Sequence, residues 1–140
     1  MTCADTIKHL RYLWASPNSF IGLLFLPSAF FTTRGARVVD GVLELLGPFI
    51  AWVLRRCVLL PGGAAAMTLG HVVVGRDEER LRLTRAHERA HVRQYEAWGP
   101  FFIPAYLAAA LWGFLTRTGA YHGNYFERDA AAFDTPRADR

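Results

Sequence analysis

The chain has 140 residues and a formal net charge of +4, with 16 Lys and Arg against 12 Asp and Glu. This length fits one domain, 1–140, that can bury a core without disulfides. Cys3 and Cys57 stand apart with no CxxC spacing, which argues against a disulfide-built module and against a cysteine zinc site.

The arginines are scattered, with only Arg55 and Arg56 adjacent, so no nucleic acid partner is expected. Hydrophobic residues make up 52% of the chain, which keeps a membrane-associated class open.

The N-terminal segment, 1–35, is apolar but does not have the pattern of a signal peptide. Asp5 lies where a signal peptide is basic, and the apolar run begins only near Phe20. A short helix is predicted over 4–14, ending at Ala15–Asn18. The rest of the segment is either a membrane-surface anchor or part of the core. We therefore expect a cytoplasmic or peripherally membrane-associated protein.

The next region, 36–75, is predicted to contain strands. Asp40-Gly41 lies between apolar and β-branched residues, which favours a hairpin with a type I′ turn over 36–45. Met67–Val74 is interpreted as a further strand, closed by Gly75. These strands predict a short antiparallel sheet.

Helices are predicted for the second half of the chain, so the expected fold class is α+β. A polar helix over 77–98 begins with acidic residues, which suit the positive end of a helix, and ends at Gly99-Pro100. An apolar helix follows over 101–116, and a short helix over 124–133 completes the domain.

The helix over 77–98 contains the motif His87-Glu88-Arg89-Ala90-His91. Histidines at positions i and i+4 project from one face of a helix, so both imidazoles can bind one ion. Zn²⁺ accepts imidazole nitrogen, and a catalytic zinc site has three protein ligands and a water. Glu88 is predicted not to bind the metal but to accept a proton from the metal-activated water. The alternative is a solvated polar helix face.

A third ligand is sought among the later carboxylates. Glu96 lies about 140° around the helix from His91 and too far along its axis. Glu127 is preferred because it lies in a short amphipathic piece that can return beside the first helix. Asp129 and His122 remain alternatives, and Glu127 could instead be a solvated carboxylate.

An HExxH helix followed by a glutamate on a later helix resembles the gluzincin metallopeptidases. The length and element order look most like the minimal members called minigluzincins, and like small uncharacterised bacterial HExxH proteins. The resemblance covers about residues 67–133. It implies a zincin-like domain with His87, His91 and Glu127 as zinc ligands and Glu88 as general base. Many gluzincins have an acidic residue four positions after the ligand glutamate, but this sequence has Ala131 there, so Asp129 or Asp134 is expected to serve instead.

Further roles are assigned to three groups of residues. In zincin folds the strand before the helix binds substrate backbone, which suggests a substrate edge strand at Thr68, Leu69, Gly70, His71 and Val72. A transition-state stabiliser is expected among Tyr121, His122 and Tyr125. Gln94 and Asp129 are candidates for orienting the ligands. Each also has an ordinary interpretation, as a core or solvated residue.

The stretch 97–116 carries no charge and is long enough to span a bilayer. A single crossing would put His91 and Glu127 on opposite sides, about 30 Å apart, where they could not share one metal. We therefore expect this helix to pack within the domain.

The function predicted from these residues is that of a zinc-dependent metallohydrolase, with peptides or proteins as substrates. Two alternatives stay open. One is a zinc-binding module of zincin type without catalysis. The other is a membrane-associated structural protein in which the HExxH motif is fortuitous.

Overall fold

A computed structural model of the chain describes residues 3–58 and 60–134. Residues 1, 2, 59 and 135–140 of the expected domain 1–140 lie outside the described residues. The fold is α+β, as predicted from the sequence. In chain order its elements are α1 (Cys3–Leu23), α2 (Leu26–Ala29), β1 (Ala36–Val39), β2 (Val42–Leu46), α3 (Pro48–Arg56), β3 (Ala66–Leu69), β4 (Val72–Gly75), α4 (Glu78–Trp98), α5 (Phe102–Leu115) and α6 (Tyr125–Ala131), with a single 3-10 turn (Gly99–Phe101) between α4 and α5.

The four strands form one sheet in the order β1-β2-β4-β3. β1 and β2 form the predicted hairpin, and Asp40 and Gly41 have φ angles of 51° and 77°, as a type I′ turn requires. The expectation of an antiparallel sheet is wrong for the central pair, because β2 and β4 are parallel. Parallel neighbours need a crossover connection, and here it contains α3.

Met67–Val74, expected to be one strand, is a second hairpin. β3 pairs with β4 in antiparallel orientation, and Gly70 and His71 form the turn between them. Gly70 has a φ of 66°, and a Cβ there would lie 2.2 Å from the Ser19 hydroxyl, so the close approach of α1 favours glycine. β3 is consequently one of the two edge strands, the other being β1, and β4 lies inside the sheet.

α1 continues through Pro17, although a helix ending at Ala15–Asn18 was expected. A proline inside a helix leaves a carbonyl of the preceding turn without its N–H partner. The Ser16 hydroxyl donates to the Leu13 carbonyl at 2.7 Å, which supplies a local donor in this turn. The buried Asn18 amide donates to the Gly99 carbonyl at 2.8 Å, so tertiary contact also fixes this part of α1.

The sheet packs between helices on its two faces. Val72 and Val74 of β4 pack in one core cluster with Ile50 and Leu54 of α3. Val73 points to the other face, where its cluster includes Leu81 and Val92 of α4. β4 is therefore buried on both sides and supports α4 directly.

A buried carboxylate joins α4 to the sheet. Glu44 of β2 has a side chain that is 1% exposed, and it accepts hydrogen bonds from Arg37, Arg85 and Arg89 at 2.8–3.1 Å. Burial works against ionisation of Glu44, but the hydrogen bonds from Arg85 and Arg37 outweigh it and hold its pKa below the ordinary value. Charge-assisted bonds thus fix the side of α4 that carries Arg85 and Arg89.

The helices expected over 77–98, 101–116 and 124–133 correspond to α4, α5 and α6. Asp77 caps α4 by accepting from the Arg80 amide at 2.8 Å. Gly99, with a φ of 54°, ends α4 and lets the chain turn into α5.

Candidate metal centre

Three side chains from two helices meet beside the sheet. His87 and His91 lie one turn apart on α4, with their Nε2 atoms 3.2 Å apart. Glu127 of α6 places its carboxylate oxygens 3.2 Å from His87 Nε2 and 3.5 Å from His91 Nε2. Ligands about 2.0–2.1 Å from a tetrahedral ion lie roughly 3.3 Å from one another, so these three side chains could hold one metal ion.

The start of α6 is fixed against α5, which positions Glu127. Asn124 is completely buried and caps α6 by accepting from the Phe126 amide at 3.0 Å. Its side-chain amide donates to the Tyr106 carbonyl of α5 at 3.1 Å. Phe126 packs in a core cluster with Tyr95 of α4 and Phe102 of α5. The apolar helix α5 therefore packs within the domain, which is the arrangement that a metal shared by His91 and Glu127 requires.

Gln94 orients His91 from behind. Its Oε1 accepts from His91 Nδ1 at 2.8 Å, and its Nε2 donates to Asp129 Oδ2 at 2.8 Å and to the Phe126 carbonyl at 3.0 Å. Because two acceptors face Nε2, the atom facing His91 must be the oxygen. Nδ1 of the neutral ring then carries the proton, and Nε2 presents its lone pair toward Glu127 and His87.

Asp134 orients His87 in a similar way. Its Oδ1 lies 3.1 Å from His87 Nδ1, which leaves Nε2 to face the shared centre. Ala131 cannot supply a carboxylate here. Asp134, just after α6, contacts His87 directly, and Asp129 on α6 contacts His91 through Gln94. Both histidines therefore have the outer hydrogen-bond partner that metal-binding histidines usually have.

The three candidate ligands carry complementary charge. The hydrogen bond to Glu127 raises the pKa of His87 to about 9, although burial lowers it. Burial alone would lower the pKa of His91, but Glu127 outweighs it and the pKa is raised. Burial raises the pKa of Glu127, yet hydrogen bonds from His87 and His91 outweigh burial and lower it. A bound cation would replace protons on the imidazoles, because imidazole binds metal only in its neutral form.

Glu88 lies in the same cleft but its carboxylate contacts the edge strand. Thr68 of β3 donates its hydroxyl to Glu88 Oε2 at 2.6 Å. Oε1 has no hydrogen-bond partner among the described residues. Burial raises the pKa of Glu88, because the charged form loses water there. Glu88 is not part of the group of His87, His91 and Glu127, whose potential ligand atoms lie within 4.8 Å of one another.

Tyr106 of α5 is a site residue that sequence reasoning missed. Its hydroxyl donates to Glu127 Oε1 at 2.5 Å, and its ring lies edge-on to His91 with centroids 6.4 Å apart. One signal was present, since Tyr106 has the only side-chain hydroxyl within α5. A lone hydroxyl in an apolar helix needs a partner when it is buried.

The three candidates for transition-state stabilisation have different positions. Tyr121 lines the cleft, and burial followed by the charge of Glu127 raises its pKa, so its hydroxyl stays protonated. His122 is exposed and Tyr125 is 62% exposed, and neither lines the cleft. The structure therefore brings only Tyr121 of the three to the ligands.

The candidate edge-strand residues are also divided. Thr68 and Leu69 belong to β3 and line the cleft. Gly70 and His71 form the turn, and Val72 belongs to the internal strand β4. His71 stacks on Tyr12 of α1 at 3.8 Å between ring centroids, and Glu96 contacts its Nε2 at 3.0 Å.

The cleft itself has a volume of about 1160 Å³ and lies between β3, α4 and α5. Its walls are largely apolar, with Met67, Leu83, Phe102, Ile103 and Leu107 among the lining residues. Comparison with family models, curated proteins and solved structures finds no match to this chain. What the site can do therefore follows from its own side chains: a His-His-Glu group that could hold a metal ion, beside a buried carboxylate.

Proposed function

We propose that the chain is a zinc-dependent hydrolase of gluzincin type that acts on peptides. The observation that carries this proposal is the group formed by His87, His91 and Glu127, whose ligand atoms lie within 4.8 Å of one another. Three protein ligands with nitrogen and oxygen donors are typical of catalytic zinc sites, whereas structural sites usually have four.

The residues around this group supply the other parts of a hydrolytic reaction. A bound zinc ion would act as a Lewis acid and lower the pKa of a coordinated water to about 7. Glu88 Oε1, left over by the bond from Thr68 to Oε2, accepts the proton of the attacking water and delivers it to the leaving nitrogen. Tyr121 is the residue we assign to hydrogen-bond the developing oxyanion.

The edge strand supports a peptide as the substrate class. Among the described strands β3 pairs only with β4, so one side of β3 can bond the backbone of an extended peptide. Met67 and Leu83 line the cleft beside this edge, and apolar walls favour apolar substrate side chains.

Substitution of Glu88 by Gln tests the proposal. The carboxamide keeps the size of the side chain but cannot act as a base, so zinc content should stay at one ion per chain. Cleavage of a denatured-protein or peptide-library substrate, followed by mass spectrometry, should fall by at least about 100-fold. Glu78→Gln is the control and should cleave as the wild type does, because Glu78 begins the same helix, has a side chain that is 59% exposed and does not line the cleft.

Two outcomes would replace this function with another. Zinc binding without cleavage in the wild type would indicate a binding module that does not hydrolyse its ligand. Wild-type protein without zinc, purified in the absence of chelators, would indicate a structural protein with a fortuitous motif.

A further inference from the structure

The outward face of α1 is more apolar than the face that packs on the domain. Its buried residues are Ala15, Asn18 and Gly22, which are small or polar. The opposite face carries apolar side chains at helical spacing that are 44–76% exposed: Leu10, Leu13, Trp14, Phe20, Ile21 and, just beyond the helix, Leu24. A helix on the surface of a soluble domain normally does the opposite: it buries its apolar residues and exposes its polar ones.

α5 has a similar excess of exposed apolar residues. It carries no charge, and only Phe102 and Gly113 are buried. Leu107, Leu111, Trp112, Phe114 and Leu115 are 58–69% exposed. Helices that are apolar on all sides occur in large cores or in lipid, and the described part of this chain does not cover α5.

Aromatic contacts join these faces to each other and to α3. Trp14 of α1 lies against Phe101 at the start of α5, with ring centroids 6.2 Å apart. At the other end of α1, Phe25 stacks on Phe49 at 6.1 Å, and Phe49 stacks on Trp52 at 6.0 Å. We call the outward faces of α1 and α5, with Phe49 and Trp52, the apolar surface.

Exposed arginines end the apolar segments. Arg34 follows Phe30 and Phe31, which are 82% and 81% exposed. In the same way, Arg55 and Arg56 follow Trp52, and Arg117 follows Leu115. None of these four arginines forms a salt bridge within residues 3–58 and 60–134. Their charges are therefore available to an anionic partner.

We propose that the apolar surface binds an anionic phospholipid bilayer, with the arginines on its headgroups. Aromatic and aliphatic side chains bordered by basic residues have the composition of interfacial segments. One helical run, Glu78–Leu115, contains an apolar window long enough to cross a membrane by length and composition, and 17% of that window is buried. α5 itself has 14 residues, about 21 Å, which is shorter than a bilayer core of about 30 Å, so it lies in the interface.

Charge favours a bilayer over a second copy of the chain. In a two-fold dimer the same surface meets itself, which would bring the two sets of four unpaired arginines close together. The whole chain also carries a net charge of +4, so long-range forces favour an anionic partner over self-association.

The surface adjoins the candidate metal centre. Leu107 is 59% exposed and also lines the cleft, and Tyr106 beside it contacts Glu127. If the proposed hydrolytic function holds, its substrates are peptide segments that lie at or emerge from a membrane surface. Lipid binding itself depends on neither zinc nor cleavage.

Co-sedimentation of the full chain with vesicles tests the proposal. The protein should bind vesicles of phosphatidylcholine and phosphatidylglycerol (7:3) at least tenfold more tightly than vesicles of phosphatidylcholine alone. Leu13→Glu with Phe20→Glu, and separately Leu111→Glu with Phe114→Glu, should each weaken binding at least tenfold. Val38→Glu is the matched control, because Val38 is 69% exposed but lies on β1, outside the apolar surface.

Two further measurements make the test independent of any single variant. Each of Arg34→Gln, Arg55→Gln and Arg117→Gln should weaken binding to the anionic vesicles about fivefold. In the wild type, brominated lipids should quench tryptophan emission, since Trp14, Trp52 and Trp112 lie on the apolar surface. Absence of binding and of quenching, or equal binding by the glutamate variants and Val38→Glu, would overturn the proposal. So would a stable dimer that the same variants dissociate and that does not bind vesicles.

Discussion

At the scale of single residues, the centre consists of side chains that are each held by a second contact. His91 is oriented by Gln94, His87 by Asp134, and Glu127 by Tyr106. Outer contacts of this kind usually contribute 10–100-fold to metal affinity.

Tyr106→Phe should weaken zinc binding about 10–100-fold without changing the fold, because Glu127 Oε1 loses its hydroxyl donor. Competition with a chromophoric chelator measures the affinity. Tyr125→Phe is the matched control, since Tyr125 lies on the helix of Glu127 but is exposed and outside the cleft. Equal affinities in the two variants would mean that Tyr106 does not position the ligand.

Gln94→Leu should likewise weaken zinc binding about 10–100-fold, because His91 Nδ1 and Asp129 both lose their partner. The same competition assay measures the change, and circular dichroism monitors the fold. Unchanged zinc affinity in folded protein would show that the orientation of His91 does not depend on Gln94.

That His87 and His91 lie together could be predicted, because a helix brings positions i and i+4 to one face wherever it lies. Glu127 could be proposed from the sequence but not fixed, since its place depends on how α5 folds back. Tyr106 contacts Glu127 only through tertiary structure, so no local spacing predicts it. Asp134 could be suggested as a substitute for the carboxylate missing at Ala131, but its contact with His87 could not be fixed. Gln94 could be suggested from its spacing to His91, but its bond to Asp129 could not be fixed.

At the scale of elements, α4 is attached to the sheet through Glu44 on one side and presents the ligands on the other. Glu44→Gln should lower the free energy of unfolding at pH 7 by about 3–5 kcal/mol, because three arginines lose a buried anion. Glu78→Gln is the control. Glu78 also contacts Arg37, but its side chain is 59% exposed, so the loss should be below about 1 kcal/mol.

The same carboxylate predicts an acid dependence of stability. The pKa of Glu44 is lower in the folded protein than its ordinary value of 4.5, so its contribution is fully present above pH 4.5. It is lost as the pH falls through the folded-state pKa. Urea unfolding from pH 7 to pH 3 should therefore show a steeper loss of stability for the wild type than for Glu44→Gln, and parallel curves would contradict this.

The packing of α1 on the sheet gives a further test. A Cβ at Gly22 would lie 2.6 Å from Val72 Cβ, so Gly22→Ala should cost about 1–3 kcal/mol of stability in urea unfolding. Leu13→Ala, at a 71% exposed position of the same helix, should change stability by less than about 0.5 kcal/mol. Equal effects would mean that α1 does not pack closely on β4.

Local chemistry explains which elements could be predicted. Asp40-Gly41 specifies its own turn, and Asp77 and Gly99 mark the ends of α4, so these features follow from the sequence. The continuation of α1 through Pro17 and the turn at Gly70 do not follow from the local sequence, because tertiary contacts decide both. Asn18 of α1 bonds to Gly99 at the end of α4, and Ser19 packs against Gly70. The parallel pairing of β2 and β4 depends on the path of the chain through α3, and the local sequence does not predict that path.

At the scale of the whole molecule, the two helices that supply the ligands approach each other only in the folded chain. Zinc binding should therefore stabilise the fold, by about 2.7 kcal/mol when free zinc is 100 times Kd. A chelator should lower Tm by about 5–10 °C in the wild type. Glu127→Gln should show a much smaller change, and an unchanged wild-type Tm would contradict a native metal centre.

The proposed metal centre depends on the topology of the chain, because Glu127 can share a centre with His87 and His91 only if α5 folds back. The most direct test is the zinc content of protein purified without chelators, measured by plasma mass spectrometry. We predict one zinc per chain in the wild type and in Glu88→Gln, and a large loss in Glu127→Gln. Metal-free wild-type protein, or a Glu127→Gln variant that binds zinc as tightly as the wild type does, would contradict the three-ligand centre.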